Sequence, residues 1–452
     1  MSVALEQEKN PERLQALSAA LHSGKLLPLR KMLNGLHPAE IANLLESLPL
    51  EQRKLVWELI DPEHEGDVLL HVNDAVRATL IREMDAHELV AATEGLDTDD
   101  LADILHDLPE TVTRQVLQSM DAQDRARLES VLSYPENTAG GLMNTDTVTV
   151  RADVTVDVVL RYLRLRGELP EMTDSLFVVS RDNKYQGMVR LTALLTHDPA
   201  MTIGEIMVSD EEAILALLPA KDVANLFEVR NLVSAPVVDD AGHLLGRITI
   251  DDVVDVIRDE AEHSLMSMAG LKEEEDMFAP VVASTRRRAL WLGVNLLTAF
   301  FASWVIGLFD ATIEKLVALA VLMPIVASMG GIAGTQTQTL VIRGMALGQV
   351  GSANARQLLL KELAVGWLNG LIWAVVVATV ASAWFDNYQL GLVIGAAIII
   401  NLLCAALVGV TLPLALRRLG VDPALAGGVI LTTFTDSVGF AAFLGLAALF
   451  LV

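Results

Sequence analysis

From Ala289 to its end the chain carries almost no charge, and no other feature limits its fold so strongly. Uncharged or nearly uncharged stretches run over 289–309, 316–342, 363–385, 390–416 and 423–452, and only the last has a charge within it. Each reaches the roughly 20 residues that a helix needs to cross a bilayer. Backbone groups in hydrocarbon must satisfy one another, so five transmembrane helices are expected. The front of the chain is the opposite. Residues 1–280 hold 52 of the 58 acids and 24 of the 33 bases, a net charge of −28, while the rest has six acids and nine bases, net +3. An integral membrane protein with a large acidic water-soluble part follows. That charge argues against nucleic acid as a partner, since phosphate binding needs clustered Lys and Arg, and makes cations the natural counterparts. Cys404, the one cysteine, lies in an apolar stretch, so no intrachain disulfide is expected.

Basic residues set the orientation. Arg286, Arg287 and Arg288 precede the first span, Arg343, Arg356 and Lys361 lie between the second and third, and Arg417 and Arg418 follow the fourth. The alternate loops hold Asp310, Glu314 with Lys315, and Asp386. The positive-inside bias then puts the N-terminal part in the cytoplasm and Leu451–Val452 outside, in a bacterial plasma membrane. The opening MSVALEQEKN has no apolar core and does not read as a signal peptide.

Within the soluble part, residues 11–133 show helical spacing and a repeated phrase. Ala39–Leu45 with Leu48-Pro49 returns as Asp99–Leu105 with Leu108-Pro109, which suggests a superhelical array used for packing or for binding a partner. Residues 140–262 alternate β-branched strands with helices. Phe177–Val179, a turn at Arg181–Asn183 and Gly187–Val189 read as strand, turn, strand, and the figure recurs at Pro236–Val238, Asp239–Gly242 and Gly246–Ile248. Two such copies resemble tandem CBS domains, at 140–200 and 201–257, a module class that often senses adenosine nucleotides. Thr249 and Asp252 match the Thr and Asp that hold a ribose in many of them. The first copy has Arg190 and Ala193 there. One candidate nucleotide site remains, with ATP as a modulator, against the alternative that Asp252 is a helix N-terminal acid.

A connecting helix, 258–285, continues an acidic run. Asp251, Asp252, Asp255, Asp259, Glu260 and Glu262 crowd one helix, and helical spacing brings Asp252, Asp255, Asp259 and Glu262 to one face, where like charges repel. Further acids cluster at Asp97, Asp99, Asp100 and Asp103, at Asp210–Glu212 and at Glu273–Asp276. Hard divalent cations take oxygen ligands, and Mg²⁺ keeps much of its water, so loosely spaced carboxylates suffice. A solvated acidic surface is the plain alternative.

In the membrane part, residues 286–452, Asp436 is the ionisable residue deep within a span and should face a water-filled path or a partner. Gly428, Thr432, Asp436 and Gly439 fall at helical spacing as a small, polar stripe. Span two has Pro324, Gly330, Gly331 and Gly334 followed by Thr335, Gln336, Thr337 and Gln338, which predicts a kinked or interrupted helix lining a cavity. Asn295, Asn369 and Asn401 are expected to make interhelical hydrogen bonds.

These pieces, above all Gly330–Gln336 and Asp422–Ala424 through Thr432–Gly439, resemble the MgtE family of magnesium channels and transporters over essentially the whole chain. The resemblance implies a multidomain fold: an all-α superhelical N domain, an α/β CBS pair and an α-helical membrane domain of five spans. It implies a homodimer in which Asp436 recognises the hydrated ion, with Gly331, Thr335, Gln336 and Thr432 lining the pore. It also implies that Asp422 contacts the cytosolic gating region. Where the family commonly has Asn after the paired Gly, this chain has Ile332.

The expected function is passive Mg²⁺ uptake, closed when cytosolic Mg²⁺ binds Asp251, Asp252, Asp255, Asp259, Glu260, Glu262, Asp422, Asp99 and Asp100. No enzyme activity is expected. Passive transport is expected because Gly24-Lys25 is followed by Leu26, so no phosphate-binding loop is formed. A nucleotide-regulated channel for another ion is the rival. An intramembrane hydrolase lacks a second acid or a nucleophile with its base.

Overall fold

The computed structural model describes residues 13–21, 26–93, 96–106, 108, 110–210, 212–271, 276–351 and 353–452. The opening ten residues, Pro109 of the second phrase, and the acids Glu211, Glu273, Glu274 and Glu275 lie outside them. The chain divides into two compact units: Met1–Glu262 with Glu274–Ala279, and His263–Glu273 with Pro280–Val452.

The first unit begins with a helical array. A helical stretch at 13–21 is followed by α1 (Leu26–Leu33), α2 (Pro38–Glu46), α3 (Leu50–Trp57), α4 (Pro62–His71), α5 (Asp74–Ile81), α6 (Ala86–Thr93), α7 (Thr98–His106), α8 (Glu110–Ser119) and α9 (Ala122–Leu132). Local chemistry starts these helices. Pro38 and Pro62 occupy the first turn, where a missing N–H costs nothing. His37 and Glu40 form a reciprocal capping box, while Asn73 and Asp121 accept from backbone N–H groups of α5 and α9. The equivalent letters of the repeated phrase, Ala42 with Ala102, Leu44 with Ile104 and Leu45 with Leu105, are all buried. Its shared letters therefore record packing.

Two small sheets follow. Strands β1 (Thr149–Val150), β2 (Ser175–Val179) and β3 (Tyr185–Arg190) lie in that order, β1 parallel and β3 antiparallel to β2. Strands β4 (Ile214–Leu215), β5 (Ser234–Val238) and β6 (Leu244–Thr249) repeat the figure. The parallel pairs are bridged by α10 (Val156–Arg166) and α13 (Ala220–Arg230), and α11 (Leu191–Thr196) and α12 (Ile203–Ile206) join the copies. The hairpin turns pair with each other: Lys184 bridges His243, and Leu244 N–H donates to the Asn183 carbonyl. Helix α14 (Ile250–Met268) leaves β6 and carries the acidic run.

The second unit contains α15 (Val281–Gly307), α16 (Asp310–Lys315), α17 (Ala318–Ala346), α18 (Ala355–Phe385), α19 (Tyr388–Arg418) and α20 (Pro423–Phe450). All but α16 are long and apolar enough to cross a membrane. Helix α19 is the central one: Ile394, Ala397, Ile398 and Ala405 are fully buried, whereas α15 exposes most of its apolar side chains.

Of the kinked or interrupted helix expected from its Pro and Gly residues, the interruption is absent: α17 runs continuously from Ala318 to Ala346 with Pro324 inside it. The glycines serve approach. A Cβ at Gly330 would lie 2.2 Å from Asn401 Nδ2, one at Gly439 2.7 Å from it, and one at Gly334 2.9 Å from Leu431. Asn401 is wholly buried in that notch and donates to the Val326 carbonyl at 2.8 Å, tying α17, α19 and α20 together. Asn295 and Asn369, expected to act similarly, are exposed. Gly330→Ala and Gly439→Ala should each cost about 1–3 kcal/mol by overpacking. Gly331→Ala and Gly428→Ala, where a Cβ meets nothing within 4 Å, should be near neutral. Thermal melting of the detergent-solubilised protein tests the contrast.

Candidate pore and cytosolic cation sites

Helices α17 and α20 run antiparallel, with Val326 against Gly439, Gly334 against Leu431 and Gln338 against Gly427 and Pro423. This register puts Asp436 level with the paired glycines of α17, between the first two of those contacts. Asp436 is half-buried and makes no hydrogen bond or ion pair with any described residue. Gly428 has open space at its Cβ, and half-buried Thr432 returns its hydroxyl to the Gly428 and Val429 carbonyls, at 3.1 and 3.0 Å. On this stripe the Thr432 hydroxyl is thus taken up by its own backbone, whereas no described residue engages the Asp436 carboxylate.

The polar run on α17 divides. Thr335 and Gln336 are exposed, as is Ile332, and Gly331 is half-buried with open space beside it. Thr337 and Gln338 are buried instead and act in packing: Thr337 donates to Glu362 Oε2 at 3.3 Å, and Gln338 to the Pro423 carbonyl at 3.4 Å. Glu362 was not marked by the sequence as an interior residue. It is buried on α18, ion-paired at 2.6 Å with the exposed Lys361, and links α18 to α17.

In the first unit the acids of α7 and the start of α14 converge. Asn144 Nδ2 donates to Asp97 Oδ2 at 3.1 Å and to Asp99 Oδ1 at 3.2 Å. Asp252 accepts from the Thr249 N–H and hydroxyl, and Thr249 also donates to Asp251. Burial, then the charges of Asp99 and Asp251, push Asp252 well above the usual carboxylate range. Burial and its acidic neighbours also raise Asp99. Asp100 is pushed up to about 7 by burial and by Asp99, Asp97, Asp103 and Asp251. Asp103 reaches about 7, mainly through burial and against the pull of Arg77. Lower on α14, Asp259 rises to about 6 through burial, with Asp255 and Asp74 adding to it against Arg258. Asp74, on α5, and Asn144 carried no signal of their own in the sequence.

Other acids are already matched. Glu260 pairs with Lys221 and Glu262 with Arg258 at 3.4 Å, so these two turn to local bases and not to the α7 acids. Asp422, in the second unit, caps α20 through the Ala424 N–H and pairs at 3.3 Å with His263. Among the described residues no three His, Cys, Asp or Glu side chains converge as a direct metal cage. The crowded carboxylates of α7 and α14 fit a divalent ion that keeps much of its water, because desolvated like charges gain from any nearby dication.

The membrane helices from residue 323 to 446 match the family model described as divalent cation transporter; residues 36–137 match the MgtE intracellular N domain, and 139–199 and 203–259 match CBS domains. The magnesium transporter MgtE of Thermus thermophilus is 31% identical over 442 residues, covering 96% of this chain and 98% of its own length. The chain belongs to the MgtE magnesium transporter family. It is thus a multi-pass membrane protein with an MgtE N domain and a CBS pair ahead of its membrane helices. The Bacillus subtilis MgtE is 26% identical over 431 residues, 95% of this chain and 96% of its own. A solved cytosolic domain of the Mg²⁺ channel MgtE in complex with ATP is 31% identical, covers 54% of this chain and 99% of its own, and has a TM-score of 0.49.

Raised carboxylates stabilise the fold below their unfolded values and lose that contribution as pH climbs through their folded ones. Without divalent ions, the unfolding transition of the first unit should therefore fall in temperature between about pH 5 and 9, through the rise of Asp259, Asp100, Asp103 and Asp252. Saturating Mg²⁺ should flatten the dependence. Calorimetry of the full-length protein at stepped pH, with and without Mg²⁺, reads both effects.

Proposed function

We propose that the chain is a Mg²⁺-selective, passive channel, assembled as a homodimer, that closes when cytosolic Mg²⁺ rises. Asp436 carries the reading. It is the one carboxylate of its span, lies level with the glycine pair, and has no hydrogen-bond or ion-pair partner among the described residues. A charge so placed in a bilayer needs water or an ion beside it. A second copy of this face around a common axis would enclose a path lined by two Asp436 side chains, with Gly331, Thr335, Gln336 and Thr432 along it. The hydrated dication is attracted by the charge and retains its shell, for which carboxylate oxygens accept hydrogen bonds from bound water.

Closure would use the α7 and α14 acids. Asp99, Asp100, Asp251 and Asp252 would hold the regulatory ion, with Asp255 and Asp259 further along α14. Bound Mg²⁺ favours whichever arrangement brings them together, and its loss restores their repulsion. The proposed orientation, with this unit in the cytoplasm, follows the basic clusters at Arg286–Arg288, Arg343 with Arg356 and Lys361, and Arg417–Arg418. A nucleotide at Thr249 and Asp252 is less favoured. The Thr249 hydroxyl is buried and already donates to Asp251 and Asp252, so a ribose would have to displace both.

Flux into proteoliposomes tests the reading. Asp436→Asn should lower Mg²⁺ influx by about tenfold or more, since an amide keeps the oxygen but loses the charge that attracts the dication. Asn at Asp99, Asp100, Asp251 and Asp252 together should leave influx intact and move closure to higher cytosolic Mg²⁺. Normal influx through Asp436→Asn would remove the pore assignment, and unchanged closure in the quadruple variant would reduce the cytosolic acids to a solvated surface.

A further inference from the structure

Asp276 has no part in the cation sites above, yet it makes an ion pair that spans more than two hundred residues of sequence. Arg53 of α3 is completely buried, and its guanidinium is used on both edges. Nε donates to the Leu45 carbonyl at 3.0 Å and Nη2 to the Leu48 carbonyl at 3.1 Å, which fixes the group at the C-terminal end of α2. Its outer edge meets Asp276 in a two-pronged pair: Nη1 to Oδ2 at 2.9 Å and Nη2 to Oδ1 at 3.1 Å. Asp276 retains only 12% of its side-chain exposure. It also shapes its own segment, because Oδ1 accepts the Phe278 N–H at 2.8 Å and its carbonyl accepts the Ala279 N–H at 3.1 Å. Accordingly Glu274–Ala279 belongs to the same compact unit as the helical array, although residues 263–273 before it do not.

The consequence lies in the covalent chain. Asp276 stands five residues ahead of Val281, the first residue of membrane helix α15. We propose that the Arg53–Asp276 clamp is a direct mechanical link from the helical N domain to α15, parallel to the route through the CBS pair and α14, and that gating needs it. A two-pronged pair around a buried guanidinium has one geometry, so the segment moves with α3 as a body. Losing Asp276 leaves a desolvated cation without its counter-charge, so the pair resists opening during any shift of the domain. The proposal rests on closure by cytosolic Mg²⁺, as proposed above.

The test uses the full-length protein in patches at stepped cytosolic Mg²⁺, with four variants: Asp276→Asn, Asp276→Glu, a short Gly-Ser insert between Leu271 and Lys272, and the same insert between Ala279 and Pro280. Flexible inserts break transmission along the chain without touching the clamp. Asp276→Asn and the insert after Ala279 should raise the Mg²⁺ concentration for half-closure by about fivefold or more, the lower end of ordinary coupling, while the insert after Leu271 stays near the parent. Asp276→Glu should restore most of the response. Parent-like closure in Asp276→Asn, or equal effects of the two inserts, would overturn the link. If Asp276→Asn unfolds the N domain, the pair of inserts decides alone. A parent that Mg²⁺ does not close refutes the gating reading instead. The clamp is then judged by hydrogen exchange at residues 277–279, which should be slow in the parent and fast in Asp276→Asn; equal rates would reject it.

Discussion

Carboxylates without counter-cations in places that water reaches poorly are what the rest of this protein is arranged around. Moving an acid out of water disfavours its charged form, and a like charge beside it adds to the cost. Asp99 and Asp252 stand in that condition, and Asn144 and Thr249 relieve it only with neutral donors. Asp436 also lacks a counter-cation, inside an apolar helix and with no donor among the described residues. Glu362 shows the contrast: equally set in a membrane helix, it has both Lys361 and Thr337. An acid with a base and a hydroxyl is structural, and an acid with neither asks for a mobile cation. One physical criterion thus sorts the carboxylates of both units.

The membrane helices and the two strand–turn–strand figures were legible because their constraint is local. A span must be apolar along its length, and a hairpin must place its turn residues between two runs of alternating side chains. Asp436 was legible for the same reason, as a charge where hydropathy allows none. What escaped was set by partners distant in sequence. Glu362 beside Lys361 reads as an ordinary charged helix flank, and only the packing of α17 shows it buried. Gly330 and Gly334 read as breaks in α17, because their use as a notch depends on Asn401 and Leu431, residues on other helices. Arg53 looks like one more surface base until Leu45, Leu48 and Asp276 are found around it.

The replacement of the family's Asn by Ile332 also takes on a physical meaning. Ile332 is exposed on α17, so its side chain contributes no brace within its own chain. The brace comes from Asn401, whose amide reaches the Val326 carbonyl beside Gly330 and Gly439 and so holds both helices at the level of Asp436. An amide at position 332 is therefore not required to hold these two helices together. What Ile332 removes is a polar group from the exposed face that also carries Thr335 and Gln336. On the proposed reading, recognition at that level falls more heavily on the carboxylate alone.

On the proposed reading, a passive pore for a dication would also explain why the acidic unit should be tied to the membrane helices at all. Each elementary charge crossing 100 mV gains about 2.3 kcal/mol, so a dication gains about 4.6 kcal/mol. At about 1.4 kcal/mol per factor of ten, an open channel at that potential favours accumulation on the negative side by roughly three orders of magnitude. No energy source is then needed for uptake, but a limit is. The limiting signal has to be read on the side where the ion accumulates, which on the orientation proposed from the basic clusters is the side of the acidic residues 1–280. Surface charge would concentrate the ion there without reporting on it, because repulsion among solvated acids is largely screened by salt. Buried acids raised by acidic neighbours, such as Asp99 and Asp252, escape that screening. Their response to a bound dication can be converted into motion only if the domain that holds them is rigidly joined to a membrane helix.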